Sequence, residues 1–293
     1  METRLAPPPG HGTLPCPVCL APSRSTHASG PVRLHRCEGC LHRFTDLEAL
    51  RGRPAYDDTY YGKTHRSWNE HPNVELFGRF AERIGRLAPR ARSLLDVGCG
   101  RGDLLRHLRA RLSGVALHGV DLAPQEPGEG IGFFLGDFLE TPTDRTFDVV
   151  TSLAVIEHVP DIRRFARRVR DLCAPGGIAL LTTLDDGSVL YGAARALFAC
   201  GVRGPFRRLY HPHHVHHFST ASFRELLERA GLEILETIHH NVPLRSVDLP
   251  PGALPVRAVQ RAGVWGTFTL GRLSGRTYLQ TAVCRRPARE GAP

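Results

Sequence analysis

Apolar residues recur at three- and four-residue steps over 73–87, where Phe77, Phe80, Ala81, Ile84 and Leu87 share one face, so the spacing predicts an amphipathic helix that stops before Pro89. The period then changes. Residues 93–97 form a short apolar run fit for a buried strand, 103–111 read as a helix and 115–121 as a second strand, which together make a β-α-β unit. Alternation continues through 132–135, 147–153, a helix over 161–172 and the run 178–184, the pattern of a parallel sheet covered by helices on both faces. Beyond Asp185 the pattern loosens. It leaves a helix over 189–199, a His-rich loop at 211–217, a helix from Ser219 or Thr220 to Ala230 closed by Gly231, and late strands at 232–238 and 277–284. Residues 241–275 have no clear period and receive no element.

Ahead of this pattern four cysteines fall as Cys16-Pro17-Val18-Cys19 and Cys37-Glu38-Gly39-Cys40. A tight turn between paired thiolates lets two sulfurs converge on one ion, and two such knuckles close a tetrahedral site with no open position, so the expected occupant is a structural Zn2+. Two local disulfides or four free thiols are the other readings. Cys99, Cys173, Cys200 and Cys284 lack such partners and are expected as small core residues. The chain thus divides into a disordered N-terminus (1–13), a zinc-binding module (14–45), a connector (46–72) rich in Tyr, a larger α/β domain (73–285) with a lid or insertion at about 186–218, and a disordered tail (286–293).

Composition narrows the class. With 293 residues, 41% hydrophobic and 23% charged, the chain is globular rather than disordered. No window approaches a membrane span and the first residues carry no secretory pattern, so a cytoplasmic address is expected. Net charge is +9, and 37 of the 38 basic side chains are Arg, Lys63 being the only lysine. Because these residues are spread along the chain, a nucleic-acid partner is not expected from charge alone.

The strand at 93–97 runs into Gly98-Cys99-Gly100-Arg101-Gly102-Asp103, glycines at alternate positions where a parallel sheet hands over to a helix. Ligands of open α/β sheets bind at that edge. A dinucleotide fingerprint wants a small residue at position 103 for the pyrophosphate, but Asp103 would repel it and suits the first turn of a helix instead. The site therefore fits a ligand without phosphate. Asp121 ends the second strand, placed to accept from two ribose hydroxyls, and Asp137 follows the third, able to accept from an adenine amine beside Phe138. Each Asp alone would also suit a loop cap.

Leu94-Leu95-Asp96-Val97-Gly98-Cys99-Gly100-Arg101-Gly102, Gly119-Val120-Asp121-Leu122, Gly136-Asp137-Phe138 and Phe147-Asp148-Val149-Val150 resemble the class I methyltransferases that use S-adenosylmethionine. The resemblance spans about 74–238, and Glu157-His158 and Pro175-Gly176-Gly177 extend it. It implies a Rossmann-like seven-stranded, mostly parallel sheet whose last strand is antiparallel. It further implies that Asp96 with Gly98, Cys99, Gly100 and Gly102 holds the methionine part, Asp121 with Leu122 the ribose, and Asp137 with Phe138 the adenine. The Cys knuckles, Tyr-rich connector and His-rich segment are similar to a bacterial subgroup with an N-terminal zinc-binding segment. The chain stops before the further C-terminal domain of that subgroup's nucleotide-sugar C-methyltransferases, so their substrate is not carried over.

For transfer to a hydroxyl, the chemistry needs alignment, exclusion of water and a base. His158 is the first candidate, or else a loop residue bonding a carbonyl. Glu157 either orients it or points elsewhere. In quinone O-methyltransferases Glu-x-x-Glu-His is associated with a divalent metal, but Ala154 replaces the first carboxylate here, so no catalytic metal is expected. His211, His213, His214, His216 and His217 supply either a base, with His213 and His214 foremost, or a second metal site, or an exposed loop. Tyr60, Tyr61 and Trp68 wall the pocket or serve as interface core. The favoured function is methylation of a small-molecule acceptor, a hydroxyl of a glycosyl, natural-product or quinone-like compound. RNA or protein methylation docked by the zinc module is the alternative, against which stands Thr151-Ser152-Leu153-Ala154 in place of an amine methylase's Asn/Asp-Pro-Pro-aromatic tetrad. A catalytically silent scaffold or adaptor is the third reading. The oligomeric state is open.

Overall fold

The structure, a computed structural model, describes residues 13–50, 67, 70–140, 145–249 and 252–288. The N-terminal expectations for 1–12, the pocket roles of Tyr60, Tyr61 and Trp68, and most of the tail lie outside the described residues. The strands are β1 (Ser23–Ser29), β2 (Val32–Cys37), β3 (Arg43–Thr45), β4 (Ser93–Val97), β5 (Ala116–Asp121), β6 (Gly132–Leu135), β7 (Phe147–Leu153), β8 (Cys173–Leu184), β9 (His216–His217), β10 (Glu233–His240) and β11 (Leu279–Arg285). The helices are α1 (Val74–Leu87), α2 (Asp103–Arg109), α3 (Ile162–Leu172), α4 (Val189–Ala199), α5 (Gly204–Leu209), α6 (Thr220–Arg229) and α7 (Leu254–Ser274).

Seven strands form one sheet in the order β10-β11-β8-β7-β4-β5-β6. The five from β8 to β6 run parallel, and β11 is antiparallel to both β8 and β10, as the resemblance implies. Parallel strands buried on both faces must be apolar throughout, and Leu94, Leu95, Val149, Val150, Leu180 and Leu181 are all fully buried. One face packs on α1 and α2 through Phe77, Phe80, Ile84 and Leu105, the other on α3 and α6 through Phe165, Val169, Phe223 and Leu227. Helix α1 is capped by the Asn73 side chain, which accepts the Leu76 amide, and α6 by a Ser219–Ser222 capping box. The sheet order reverses between β4 and β7, which opens a crevice at the carboxyl ends of those strands.

A second sheet, β1-β2-β3-β9, was not foreseen in this form. Three strands belong to the Cys module, but the fourth comes from the His-rich segment: Phe44 pairs with His216 and Arg43 with His217. The module and the segment over 211–217 are therefore one unit. Residues 254–274, left without an element, form the longest helix. Its periodicity is hidden because Phe268 and Gly271 are its only fully buried residues, and glycines at 263, 266 and 271 dilute the pattern. Cys200, expected in the core, is exposed at the end of α4, whereas Cys99, Cys173 and Cys284 are buried.

Candidate active site

The crevice holds a cavity of about 380 Å³ whose wall runs from the glycine loop to His158 and His214. Strand β4 delivers the loop. Gly98 (φ +68°) and Gly102 (φ +77°) take left-handed backbone that other residues rarely adopt, and a Cβ on Gly102 would lie 2.7 Å from the Pro127 Cα. Glycine at 102 is thus fixed by backbone angle and by close packing. Gly102 caps α2, and Asp103 occupies its first turn, paired with Arg106 at 2.5 Å rather than capping through its side chain.

All three strand-end carboxylates line this cavity, with Leu122 and Phe138 between them. Asp96 is buried and accepts the Thr151 hydroxyl at 2.7 Å. Burial pushes its pKa up to about 7, the Thr151 hydrogen bond works against that rise, and the nearby Asp121 adds to it. Asp121 accepts the Gly100 amide at 2.8 Å through one oxygen and the Ala123 amide at 3.1 Å through the other. A carboxylate has about four acceptor positions, so two are left for a ligand. Asp137 accepts the Leu139 amide at 2.8 Å, a turn cap on the cavity rim, and Phe138 stands against Phe165 at 5.3 Å. Cys99 is turned inward under β5, where its sulfur lies close to Gly119.

At the opposite wall Ala154 adopts φ +57°, and a short 3-10 turn, Ile156–His158, follows. His158 Nδ1 lies 2.9 Å from the His213 carbonyl. A carbonyl only accepts, so Nδ1 carries a proton, and the ring's basic lone pair, when the ring is neutral, is the one on Nε2. The His214 ring meets the His158 ring edge-on at 4.7 Å. His213 itself lines a shallower depression outside, with Leu47, Pro160 and Pro212, so its backbone rather than its ring serves the cavity. Glu157 is engaged by β8. It is fully buried, accepts the Thr183 hydroxyl at 2.9 Å, and burial raises its pKa to about 7. Leu184 and Tyr278 complete this wall, and Asn73 and Pro72 the adjoining one; none was marked by sequence, because β8, β11 and the start of α1 meet only in the fold.

The His-rich segment is held from the module side. His216 and His217 are buried, His42 Nε2 lies 3.2 Å from His216 Nδ1, and the Val215 amide donates to the Glu157 carbonyl at 2.8 Å. Asp186 ties the same joint: it pairs with Arg43 and with Arg195, the latter at 3.0 Å, and accepts the Tyr210 hydroxyl. No signal short of the tertiary pairing marked Asp186.

In the module the four Sγ atoms of Cys16, Cys19, Cys37 and Cys40 lie within 4.8 Å of one another, the only group of three or more His, Cys, Asp or Glu donors so gathered among the described residues. Sulfur separations of 3.6 Å (Cys16–Cys40) and 3.4 Å (Cys19–Cys37) approach the edge of a tetrahedron with metal–sulfur bonds of about 2.3 Å. The Val18 and Gly39 amides donate to Cys16 and Cys37 at 3.4 and 3.3 Å. The Cys40 hydrogen bond lowers the Cys16 pKa to about 5, against the opposing effect of burial, which favours a thiolate there.

A methyltransferase-domain family model matches residues 69–237, more than half of the chain. The chain belongs to that family, the class I methyltransferase domains that use S-adenosylmethionine. It is 33% identical to a ubiquinone biosynthesis O-methyltransferase of Xanthomonas axonopodis over 165 residues, 51% of this chain and 66% of that one. It is also 33% identical to norajmaline N-methyltransferase of Rauvolfia serpentina over 111 residues, 33% of this chain and 38% of the other. This methyltransferase therefore spans less than two thirds of the length of either relative. In fold it resembles phosphoethanolamine N-methyltransferase 2 of Haemonchus contortus, solved with S-adenosyl-L-methionine, at a TM-score of 0.54, 15% identity, 81% of this chain and 61% of that one. No helix among the described residues is long and apolar enough to cross a membrane.

Proposed function

We propose that this methyltransferase moves the methyl group of S-adenosylmethionine to a hydroxyl of a small glycosyl, natural-product or quinone-like acceptor, with His158 as general base. The observation that carries the reading is the single cavity joining the glycine loop to a histidine whose tautomer is set by a backbone carbonyl. When bound, S-adenosylmethionine supplies an electrophilic methyl on a positively charged sulfur. Asp96 and the Gly98–Gly102 backbone are suited to the methionine end, the free acceptor positions of Asp121 beside Leu122 to the ribose, and Asp137 with Phe138 to the adenine. Nε2 of His158 takes the hydroxyl proton as the oxygen bonds to the methyl carbon and the sulfur–carbon bond breaks. Glu157, Leu184, Tyr278 and His214 bound the acceptor side, and the Val215 amide and β9 tie that wall to Glu157 and β3.

The four-cysteine cluster suits a structural Zn2+: four converging sulfurs at near-tetrahedral spacing, which would bind the ion as thiolates and leave no open position. The ubiquinone-pathway relative, an O-methyltransferase by name, supports the hydroxyl reading. The test is a labelled-methyl transfer screen against catechols, quinols, glycosides and cell extract, with mass spectrometry of the labelled product. An O-methyl ether supports the reading, and label confined to nitrogen, protein or RNA overturns it.

A further inference from the structure

Helix α7 presents most of its large apolar residues outward, Val264 and Phe268 being turned to the core. Leu254, Val259, Trp265, Leu270 and Leu273 are exposed, Leu273 by 81%, Val259 by 72% and Trp265 by 58%, while a narrow stripe from Gln260 to Gly271 faces the protein. At 100° per residue the exposed apolar positions fill one broad arc, with Arg261 and Arg272 together along one edge of it. Exposed leucines scattered singly mean nothing; a contiguous strip on one helix is different. Helix α4 packs between α7 and α5, and the α4–α5 end of this layer adds exposed Leu197, Val202, Arg203, Arg207 and Arg208.

The charge on this layer has one sign. No Asp or Glu occurs over 187–224 or over 249–289, whereas Arg257, Arg261 and Arg272 stand on α7 and three more arginines around α5. Six of the chain's 38 basic residues thus fall on this layer with no acidic residue among them. A second copy of the chain is a poor occupant, because a twofold interface would set this basic face against itself. An anionic bilayer surface suits it: leucine and tryptophan enter the headgroup boundary and arginines meet lipid phosphate.

We propose that the α4–α5–α7 face docks this methyltransferase on anionic lipid surfaces, with α7 lying in the interfacial plane. The face is one ring from the site, since Phe268 of α7 stacks on Tyr278 at 6.0 Å and Tyr278 lines the cavity. The proposal does not depend on the acceptor or on His158.

The test is co-sedimentation of the full chain with phosphatidylcholine vesicles, with and without phosphatidylglycerol. Trp265 emission is read in parallel in a Trp68→Phe background, which leaves Trp265 as the sole tryptophan. Binding to the anionic vesicles with a blue shift of Trp265, weakening as salt rises, is expected. Arg261→Gln and Arg272→Gln should each lower partitioning about fivefold. Leu273→Glu with Val259→Glu should abolish it while leaving S-adenosylmethionine affinity and the melting temperature unchanged. The proposal is overturned by absence of binding to anionic vesicles at low salt, by variants that bind as the parent does, or by light scattering that shows a dimer dissolved by Leu273→Glu without vesicle binding. Equal retention on a soluble polyanion, insensitive to Leu273→Glu, also overturns it.

Discussion

Asp121 Oδ2 accepts the Gly100 amide at 2.8 Å, so the carboxylate that ends β5 also fixes the middle of the glycine loop leaving β4. Removing it takes away two things at once, the proposed ribose acceptor and the anchor of the loop. Asp121→Ala is expected to weaken S-adenosylmethionine by about ten- to a hundredfold, the equivalent of one or two charge-assisted hydrogen bonds. Isothermal titration checks this; Asp121→Asn, which keeps one acceptor oxygen, should lose less. An unchanged affinity in the alanine variant would remove the assignment.

Asp96 gives the site a pH dependence whose sign follows from its surroundings. Buried beside Thr151, Cys99 and Asp121, its carboxyl titrates at about 7 without ligand. A ligand ammonium favours the ionised form, so binding lowers that pKa and releases a proton between the bound and free values. Affinity should therefore rise with pH up to about 7 and level off above it. Titrations from pH 5.5 to 8.5 read the slope, and Asp96→Asn should flatten it (about one proton at most).

His158→Ala is expected to lower kcat by about two to four orders of magnitude with little change in the KM for S-adenosylmethionine. In the kcat–pH profile with the identified acceptor, taken at saturating S-adenosylmethionine so that Asp96 does not contribute, the acidic limb expected of a general base should be lost. A wild-type rate would leave His158 only its link to the His213 carbonyl.

Gly102→Ala tests the loop geometry. A Cβ there would lie 2.6–2.9 Å from Pro127 atoms while the residue holds φ +77°. A cost of about 1–3 kcal/mol in stability is expected from strain at such a backbone angle, with additional loss of cofactor affinity, read by thermal melts with and without ligand.

Removal of the Zn2+ proposed for the Cys cluster should act at a distance. Strand β3 pairs with β9, and His42 meets His216, whereas the glycine loop belongs to the other sheet. Chelator treatment or Cys16→Ser should accelerate amide exchange in β2, β3 and β9 and raise the acceptor KM, while S-adenosylmethionine affinity changes little. Loss of both affinities together would contradict this separation.

What sequence could show follows from the range of each interaction. The strand 93–97, the loop after it, and Asp121 at the next strand end are local patterns, and all appear where the spacing places them. The Cys pairs are local too, and their four sulfurs converge. The pairing of Phe44 with His216 spans 172 positions and has no local signature, so the His-rich segment reads as a loop although two of its imidazoles are buried. Glu157 is adjacent to His158 in sequence, yet the 3-10 turn sends it toward Thr183 on β8. Helix α7 has no clear signature because most of its large apolar residues face solvent, and the narrow stripe turned to the protein mixes Gln260, Thr267 and Gly271 with Val264 and Phe268.

The short pairing of β3 with β9 means that the first part of this polypeptide is not a detachable appendage. A version beginning at α1 would strip the cover from His216 and His217 and leave Asp186 without Arg43. The acceptor wall would then be built around bare imidazoles and a carboxylate short of one counter-ion. A substitution that shifts either the cysteine module or the histidine segment is therefore transmitted to the other across this seam.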